Sequence, residues 1–141
     1  MVQEEVAHPY GAFPRILHVE DDAFDRAALA RLLRKAFGTV VLDAVGRLSE
    51  ARTLLRSVRY DSVFVDHILP DGLGTQFVQD VVDQGLCPGS RMTLLTGLAD
   101  IADHGRARDL RGCRVVSKNE LTVELLRHPL RDDRPIRGEE P

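Results

Sequence analysis

The sequence predicts a doubly wound α/β domain, in which helices cover both faces of a parallel sheet. Short apolar segments rich in β-branched residues alternate with longer segments whose apolar residues recur at helical spacing. The segments SVFV and TLL are apolar at every position, which is typical of strands that are buried on both faces. Five strands and five helices alternate in this way, and that order favours a doubly wound sheet.

The predicted strands are short and mostly apolar. The first is apolar at Ile16, Leu17 and Val19, and the third has almost no polar alternation. Since a strand of this kind is buried on both faces, its last residue emerges from the core at the edge of the sheet. The five predicted strands are residues 15–20, 39–45, 62–66, 91–96 and 113–117.

A helix is predicted after each strand. In the first helix, Asp22 is the expected N-cap and Gly38 the expected C-terminal residue. Its apolar face carries Leu29, Leu32, Leu33, Ala36 and Phe37, at positions i, i+3, i+4, i+7 and i+8. The second helix begins at Leu48, and the third ends near Gly85. A weaker fourth helix spans residues 98–110, and a short last helix spans residues 120–127.

Length and charge limit the classes of protein to which the chain belongs. Its 141 residues suit one domain, and a net charge of −3 gives no indication of direct nucleic-acid binding. No apolar run approaches the ~18–20 residues of a membrane span, and no secretory signal is evident.

Two cysteines without metal-binding spacing favour a reduced, cytoplasmic compartment. We expect a flexible leader at residues 1–13 and a flexible tail at residues 129–141.

Polar residues stand at the ends of four predicted strands. Acidic residues 20–22 follow the first strand, Asp66 ends the third, Thr96 ends the fourth and Lys118 follows the fifth. In open parallel sheets, ligands bind beyond the carboxyl ends of the strands. We therefore expect these carboxylates, the hydroxyl and the ammonium to converge at one edge of the sheet.

Carboxylates packed this closely repel one another, which raises their pKa values or requires a cation. Mg²⁺ fits a set of oxygen ligands, whereas zinc and copper fit it poorly, because the cluster lacks Cys and His. His67 is next to Asp66, but we expect it to begin a loop, to face solvent and not to be a ligand.

The sequence resembles the receiver domain of two-component response regulators in four motifs that occur in the same order. These motifs are ILHVEDD, VFVDHILPDGLG, TLLTG and VVSKNEL. The resemblance covers residues 14–128. Each motif alone is weak evidence for the family, but the four motifs in this order and at this spacing are specific to it. It implies a flavodoxin-like fold with a five-stranded parallel sheet of order 2-1-3-4-5. It also implies a bacterial, cytoplasmic protein of phosphorelay signalling.

The resemblance also implies roles for the residues at the strand ends. Asp66 would be the phosphoacceptor, and it would bind Mg²⁺ together with Asp21 and the backbone carbonyl of Ile68. Glu20 would act mostly through the waters of the metal ion.

Lys118 would pair with one phosphoryl oxygen, and Thr96 would donate a hydrogen bond to another. The implied phosphodonor is a sensor histidine kinase or a histidine phosphotransfer protein. The chain would not be an enzyme with a turnover substrate, although it would catalyse its own phosphotransfer and dephosphorylation.

The sequence departs from the family at two positions near the expected site. Asn119 follows Lys118, where the family usually has a proline in a cis peptide, so the peptide here is either trans or a strained cis form. Val115 occupies a position that is often aromatic and serves the family as a rotating switch. We expect intact chemistry at the sheet edge and atypical transmission of the signal.

We expect a stand-alone regulator that signals by protein–protein interaction, by phosphoryl relay or as a phosphate sink. Its downstream target is unknown, and family analogy suggests a homodimer through the last two helices. One alternative is a pseudo-receiver that binds its partner without phosphorylation. The other is a Mg²⁺-dependent phosphohydrolase, which is disfavoured because such enzymes commonly have a DxD pattern after the first strand.

Overall fold

Five parallel strands form the central sheet of the protein. The computed structural model describes residues 13–97 and 113–127. The strands of the sheet are β1 (Arg15–Val19), β2 (Val41–Val45), β3 (Ser62–Asp66), β6 (Arg91–Thr96) and β7 (Cys113–Ser117), and the hairpin strands are β4 (Ile68–Leu69) and β5 (Gly72–Leu73). The sheet order is β2-β1-β3-β6-β7. This order is the predicted 2-1-3-4-5 once the hairpin strands are set aside, so the predicted fold class is confirmed.

The strand order reverses at β1. This strand pairs with β2 on one side and with β3 on the other, and Val19 is in register with both Val45 and Val65. A reversal of strand order leaves a crevice beyond the carboxyl ends of the two central strands. In this protein the crevice lies beyond β1 and β3.

Four α-helices lie within the described residues: α1 (Ala23–Phe37), α2 (Leu48–Ser57), α3 (Gly74–Gln84) and α4 (Val123–Arg127). The helix predicted for residues 98–110 lies outside the described residues. The last predicted helix, residues 120–127, needs correction. Residues Lys118–Glu120 form a short 3-10 helix, and the α-helix begins only at Val123.

The core has two parts, one on each face of the sheet. Leu17 and Val19 of β1 pack with residues of α2 and α3, whereas Ile16 packs with residues of α1 and α4. Strand β3 alternates in the same way, because Val63 and Val65 face the first cluster and Phe64 faces the second. Helices therefore cover both faces, as the apolar strands predicted.

Both ends of α1 are capped. A carboxylate oxygen of Asp22 accepts a hydrogen bond from the backbone N–H of Asp25 at 2.8 Å, which confirms the predicted N-cap. Gly38 ends the helix with a positive φ of 78°. The guanidinium of Arg127 donates to the backbone carbonyls of Ala36 and Lys35 at 3.0 and 3.2 Å. These bonds join α4 to the C-terminal end of α1.

None of the helices within residues 13–97 and 113–127 is long and apolar enough to cross a membrane.

Candidate functional site

The candidate site lies at the carboxyl end of the sheet, in the crevice beyond β1 and β3. Glu20 directly follows β1, Asp66 is the last residue of β3, and Lys118 directly follows β7. Because the strands are parallel, these chain positions reach the same edge of the sheet although up to 98 residues separate them.

Three carboxylates meet in this crevice. One carboxylate oxygen from each of Glu20, Asp21 and Asp66 lies within 4.8 Å of the others. Glu20 and Asp66 are buried, with 1% and 8% of their surface exposed, whereas Asp21 is exposed to solvent. The structure therefore brings together the three acidic side chains that the sequence predicted to converge.

Lys118 lies among the carboxylates. Its Nζ atom is 3.0 Å from Asp66 Oδ1, 3.0 Å from Glu20 Oε1 and 3.0 Å from Asp25 Oδ2. Sequence reasoning missed Asp25, which lies in the first turn of α1. The available signal was its place three residues after the predicted N-cap Asp22, where a side chain remains close to the end of β1.

A tight turn positions Asp66. The backbone N–H of His67 donates to the carbonyl of Leu95, and the N–H of Gly74 donates to the carbonyl of His67 at 2.6 Å. A Cβ atom on Gly74 would collide with the backbone carbonyl oxygen of Asp66 and would lie 2.7 Å from Leu94 Cδ1. Only glycine permits the hairpin to fold back this closely on the end of β3.

The comparison with protein families decides the identity of the domain. The model of the response regulator receiver domain family matches residues 16–128. The chain belongs to this family. None of the curated proteins compared matches the sequence.

Solved structures agree with the receiver fold. A response regulator receiver domain (CheY-like) from Methylobacillus flagellatus is 21% identical, covers 86% of this chain and 98% of its own, and has a TM-score of 0.72. The signal receiver domain of an HD domain-containing protein from Pseudomonas fluorescens Pf-5 is 26% identical, with coverages of 86% and 94% and a TM-score of 0.66. A chain described as adenylate cyclase from Rhodopirellula baltica is 22% identical, with coverages of 86% and 87% and a TM-score of 0.68.

Burial controls the electrostatics of the receiver site. It raises the pKa of the Asp66 carboxyl and that of Glu20, while hydrogen bonds from Lys118 oppose both increases. Burial alone would lower the pKa of Lys118, but hydrogen bonds to Asp25, Glu20 and Asp66 outweigh it and raise the pKa. Lys118 is therefore fully charged at neutral pH, and it compensates part of the negative charge of the acidic cluster.

A capping box positions Lys118. The hydroxyl of Ser117 accepts a hydrogen bond from the N–H of Asn119 at 3.2 Å, and the Glu120 carboxylate accepts one from the N–H of Ser117 at 3.2 Å. The described residues contain no cis peptide bond, so the peptide between Lys118 and Asn119 is trans. Lys118 thus reaches Asp66 in this receiver without the family's proline.

His67 lies in the interior, so the prediction that it faces solvent was wrong. Only 1% of its surface is exposed, and its backbone carbonyl accepts a hydrogen bond from the N–H of Gly74, on the far side of the hairpin. Both are tertiary features. The group of side chains that could hold a metal ion consists of Glu20, Asp21 and Asp66 and does not include His67.

His18 is a second buried histidine, and sequence reasoning gave it no role. Its side chain is 1% exposed, and neither ring nitrogen has a hydrogen-bond partner. Burial, together with the positive charges of Lys118 and Arg26, lowers its pKa to about 4. The imidazole is therefore neutral at pH 7, and it fills space beneath the site.

Two predicted phosphoryl or metal contacts involve residues near the site. Thr96 ends β6 and is buried, with 1% of its surface exposed. Ile68 lies in β4 opposite Leu73, and its side chain is 55% exposed. The predicted hydrogen bond from Thr96 to a phosphoryl oxygen and the predicted metal contact of the Ile68 carbonyl stay predictions.

The position that is often aromatic in the family is occupied by a small residue that packs inward. Val115 pairs with Leu94 across β6 and β7, and it packs against the core cluster on the α2 and α3 side. Valine has no aromatic ring, so it cannot serve as a switch that rotates between a buried and an exposed position. The expectation that this receiver transmits its signal in an atypical way stays a prediction.

The three acidic residues fit a hard divalent cation. All three offer carboxylate oxygens. Burial raises the pKa of Glu20 and of Asp66, and repulsion from a neighbouring carboxylate raises both further. A cation with oxygen ligands would relieve that repulsion.

Proposed function

We propose that this receiver domain is a phosphorylation-controlled signalling switch. It accepts a phosphoryl group on Asp66 from a sensor histidine kinase or a histidine phosphotransfer protein, in a Mg²⁺-dependent reaction. The phosphorylated domain then acts on a downstream protein, relays the phosphoryl group or serves as a phosphate sink. Apart from phosphotransfer to itself and its own dephosphorylation, it turns over no substrate.

One observation carries the proposal. The carboxylate of Asp66, at the end of the central strand β3, lies 3.0 Å from the Lys118 ammonium and in one cluster with Glu20 and Asp21. Phosphoryl transfer requires mainly a positioned nucleophile and positive charge near the transferred oxygens. This arrangement offers the nucleophile, one positive charge and oxygen ligands for another.

Asp21, Asp66 and the backbone carbonyl of Ile68 would hold Mg²⁺, with Glu20 binding its waters. When bound, the ion supplies positive charge next to the phosphoryl oxygens. The pKa of Asp66, raised by burial, gives its carboxylate a higher proton affinity than that of an exposed aspartate.

The transfer itself is a displacement at phosphorus. A carboxylate oxygen of Asp66 forms a P–O bond, the P–N bond of the donor phosphohistidine breaks, and the electron pair of that bond returns to the imidazole nitrogen. The Lys118 ammonium, 3.0 Å from Asp66 Oδ1, would neutralise charge on one phosphoryl oxygen. Thr96 would donate a hydrogen bond to another oxygen, which couples the new charge to the segment after β6.

A small phosphodonor tests the proposal without knowledge of the kinase. We expect protein incubated with acetyl phosphate and Mg²⁺ to gain the mass of one phosphoryl group in intact mass spectrometry. The Asp66→Asn variant, which keeps the shape of the side chain, should gain none, and chelation of Mg²⁺ should abolish the gain in the wild type. A wild-type protein that gains no phosphoryl group would favour the pseudo-receiver, and steady release of phosphate from a generic ester would favour the phosphohydrolase.

A further inference from the structure

Lys118 already has several carboxylate partners in this structure. An ammonium group has three N–H donors and no acceptor. Lys118 donates hydrogen bonds to Glu20 and Asp25, each at 3.0 Å, and forms an ion pair with Asp66 at 3.0 Å. A phosphoryl oxygen therefore competes with these carboxylates for the ammonium.

The three carboxylates differ in how easily they lose this partner. The side chains of Glu20 and Asp66 are 1% and 12% exposed, whereas that of Asp25 is 38% exposed. A buried carboxylate without a partner is costly, but an exposed one is hydrated by water. Asp25 also lies in the first turn of α1, where the helix dipole stabilises a negative charge. Asp66 itself becomes the acyl phosphate, so of the two carboxylates that remain, Asp25 loses less than Glu20 when Lys118 leaves.

We infer that Asp25 is a positioning residue of this receiver domain, which holds the Lys118 ammonium before phosphorylation and releases it to the phosphoryl group on Asp66. The inference rests on the proposed function. Asp25 would act through Lys118, whose ammonium contacts the carboxylates of both Asp25 and Asp66. Its carboxylate therefore competes with the phosphoryl oxygens and sets how readily the site accepts them.

The variant Asp25→Ala removes the competitor. At saturating Mg²⁺, we expect it to bind beryllofluoride about two- to fivefold more tightly than the wild type, which is the range expected when one partly exposed ion pair no longer has to be broken. Asp25→Glu keeps a carboxylate and should stay close to the wild type. Asp83→Ala removes an exposed carboxylate from the last turn of α3, makes the same change in net charge, and should have no effect.

A second measurement reports on Lys118 without metal or phosphate. In nitrogen-15 spectra of the metal-free protein, we expect the ammonium protons of Lys118 to exchange with water faster in Asp25→Ala than in the wild type, because one acceptor is lost. Asp83→Ala and Asp25→Glu should leave the exchange rate near the wild-type value. A merely structural role for Asp25 would not change this signal.

The outcomes separate the two proposals. If the wild type binds beryllofluoride and Asp25→Ala binds it no more tightly, or if the Lys118 exchange rate is unchanged, the positioning role of Asp25 is wrong and the proposed function stands. If the wild type binds no beryllofluoride and takes up no phosphoryl group, the proposed function is wrong, and the positioning role of Asp25 is wrong with it.

Discussion

Lys118 and Glu20 depend on each other, because the Glu20 carboxylate is almost fully buried and Lys118 donates a hydrogen bond to it at 3.0 Å. A buried carboxylate tolerates the loss of its positive partner poorly. The same ammonium contacts the proposed phosphoacceptor Asp66, so the residue that would neutralise the phosphoryl group also stabilises the unphosphorylated fold. The stability of the fold and the chemistry of the site thus depend on one side chain.

The variant Lys118→Met should lower the free energy of unfolding by about 1–3 kcal/mol at pH 7, the cost of leaving a buried polar group without its partner. The raised pKa of Lys118 means that its ammonium stays charged at both pH 5 and pH 7 and loses its charge only as the pH rises through the folded-state pKa, so a change between pH 5 and pH 7 comes from its carboxylate partners. Urea unfolding at pH 5 and pH 7 measures the effect.

The loss of unfolding free energy caused by Lys118→Met should be smaller at pH 5 than at pH 7. The pKa values of Glu20 and Asp66 are raised, so as the pH falls these two carboxyls lose their negative charge before ordinary carboxyls do. A deficit that does not change between the two pH values would contradict this view of the site. The control is Lys35→Met, which removes a lysine from the last turn of α1.

At the scale of elements, the turn after β3 connects the site to α2. Asp71, in the Pro-Asp-Gly sequence, accepts hydrogen bonds from the N–H groups of Leu48 at 2.8 Å and Ser49 at 3.1 Å. These groups are the first N–H donors of α2, which has no side-chain cap from its own N-cap residue. The turn that positions Asp66 therefore also caps a neighbouring helix.

The variant Asp71→Ala should destabilise the protein by about 1 kcal/mol, the usual value of a helix cap. The hydrogen bonds from Leu48 and Ser49 lower the pKa of Asp71, so its contribution is present above the ordinary aspartate value and is lost as the pH falls through the folded-state pKa. Urea unfolding of the variant and the wild type should show a larger difference at pH 7 than at pH 3. An equal difference at both pH values would show that the cap is not ionic.

The elements also show how far the sequence predicts the structure. The limits of β3 and β6 were predicted from their apolar runs, because burial on both faces leaves few alternatives. The convergence of Asp66 and Lys118 followed from the rule that parallel strands end at one edge. The split of the last helix was readable in principle, since residues 117–120 have the S-x-x-E spacing of a capping box.

Other features depend on tertiary contacts that have no local pattern. Asp25 looks like any acidic residue at the beginning of a helix, and its contact with Lys118 requires β1 and β7 to end at the same edge of the sheet. His67 is buried, and its backbone carbonyl accepts a hydrogen bond from Gly74 on the far side of the hairpin. Both features arise from the close approach of chain segments, which periodicity does not reveal.

At the scale of the whole molecule, the acidic cluster would link stability to metal binding. Burial is the main cause of the raised pKa of Asp66, and repulsion from the exposed Asp21 adds to it, so the metal-free fold carries unfavourable charge. A cation that binds only the folded state stabilises it by mass action. Repulsion among the carboxylates and stabilisation by a bound cation would be two consequences of the same arrangement.

The variant Asp21→Asn should therefore increase the free energy of unfolding of the metal-free protein by up to about 1 kcal/mol at pH 7. It should also lose most of the rise in Tm that we expect Mg²⁺ to cause in the wild type. Because the pKa of Asp66 is raised, the gain should be present above the folded-state pKa and should vanish below the ordinary aspartate value. Thermal unfolding with and without Mg²⁺ measures both effects, and a metal-free variant less stable than the wild type would contradict the repulsion.

Chemical trapping of the phosphorylated residue tests the central claim most directly. Borohydride reduces an aspartyl phosphate to homoserine and leaves a free aspartate unchanged. After treatment with acetyl phosphate and Mg²⁺ and then reduction, we expect peptide mass spectrometry to find homoserine at position 66 and at no other aspartate. Homoserine at position 21 or 25, or at no position, would contradict Asp66 as the phosphoacceptor of this receiver domain.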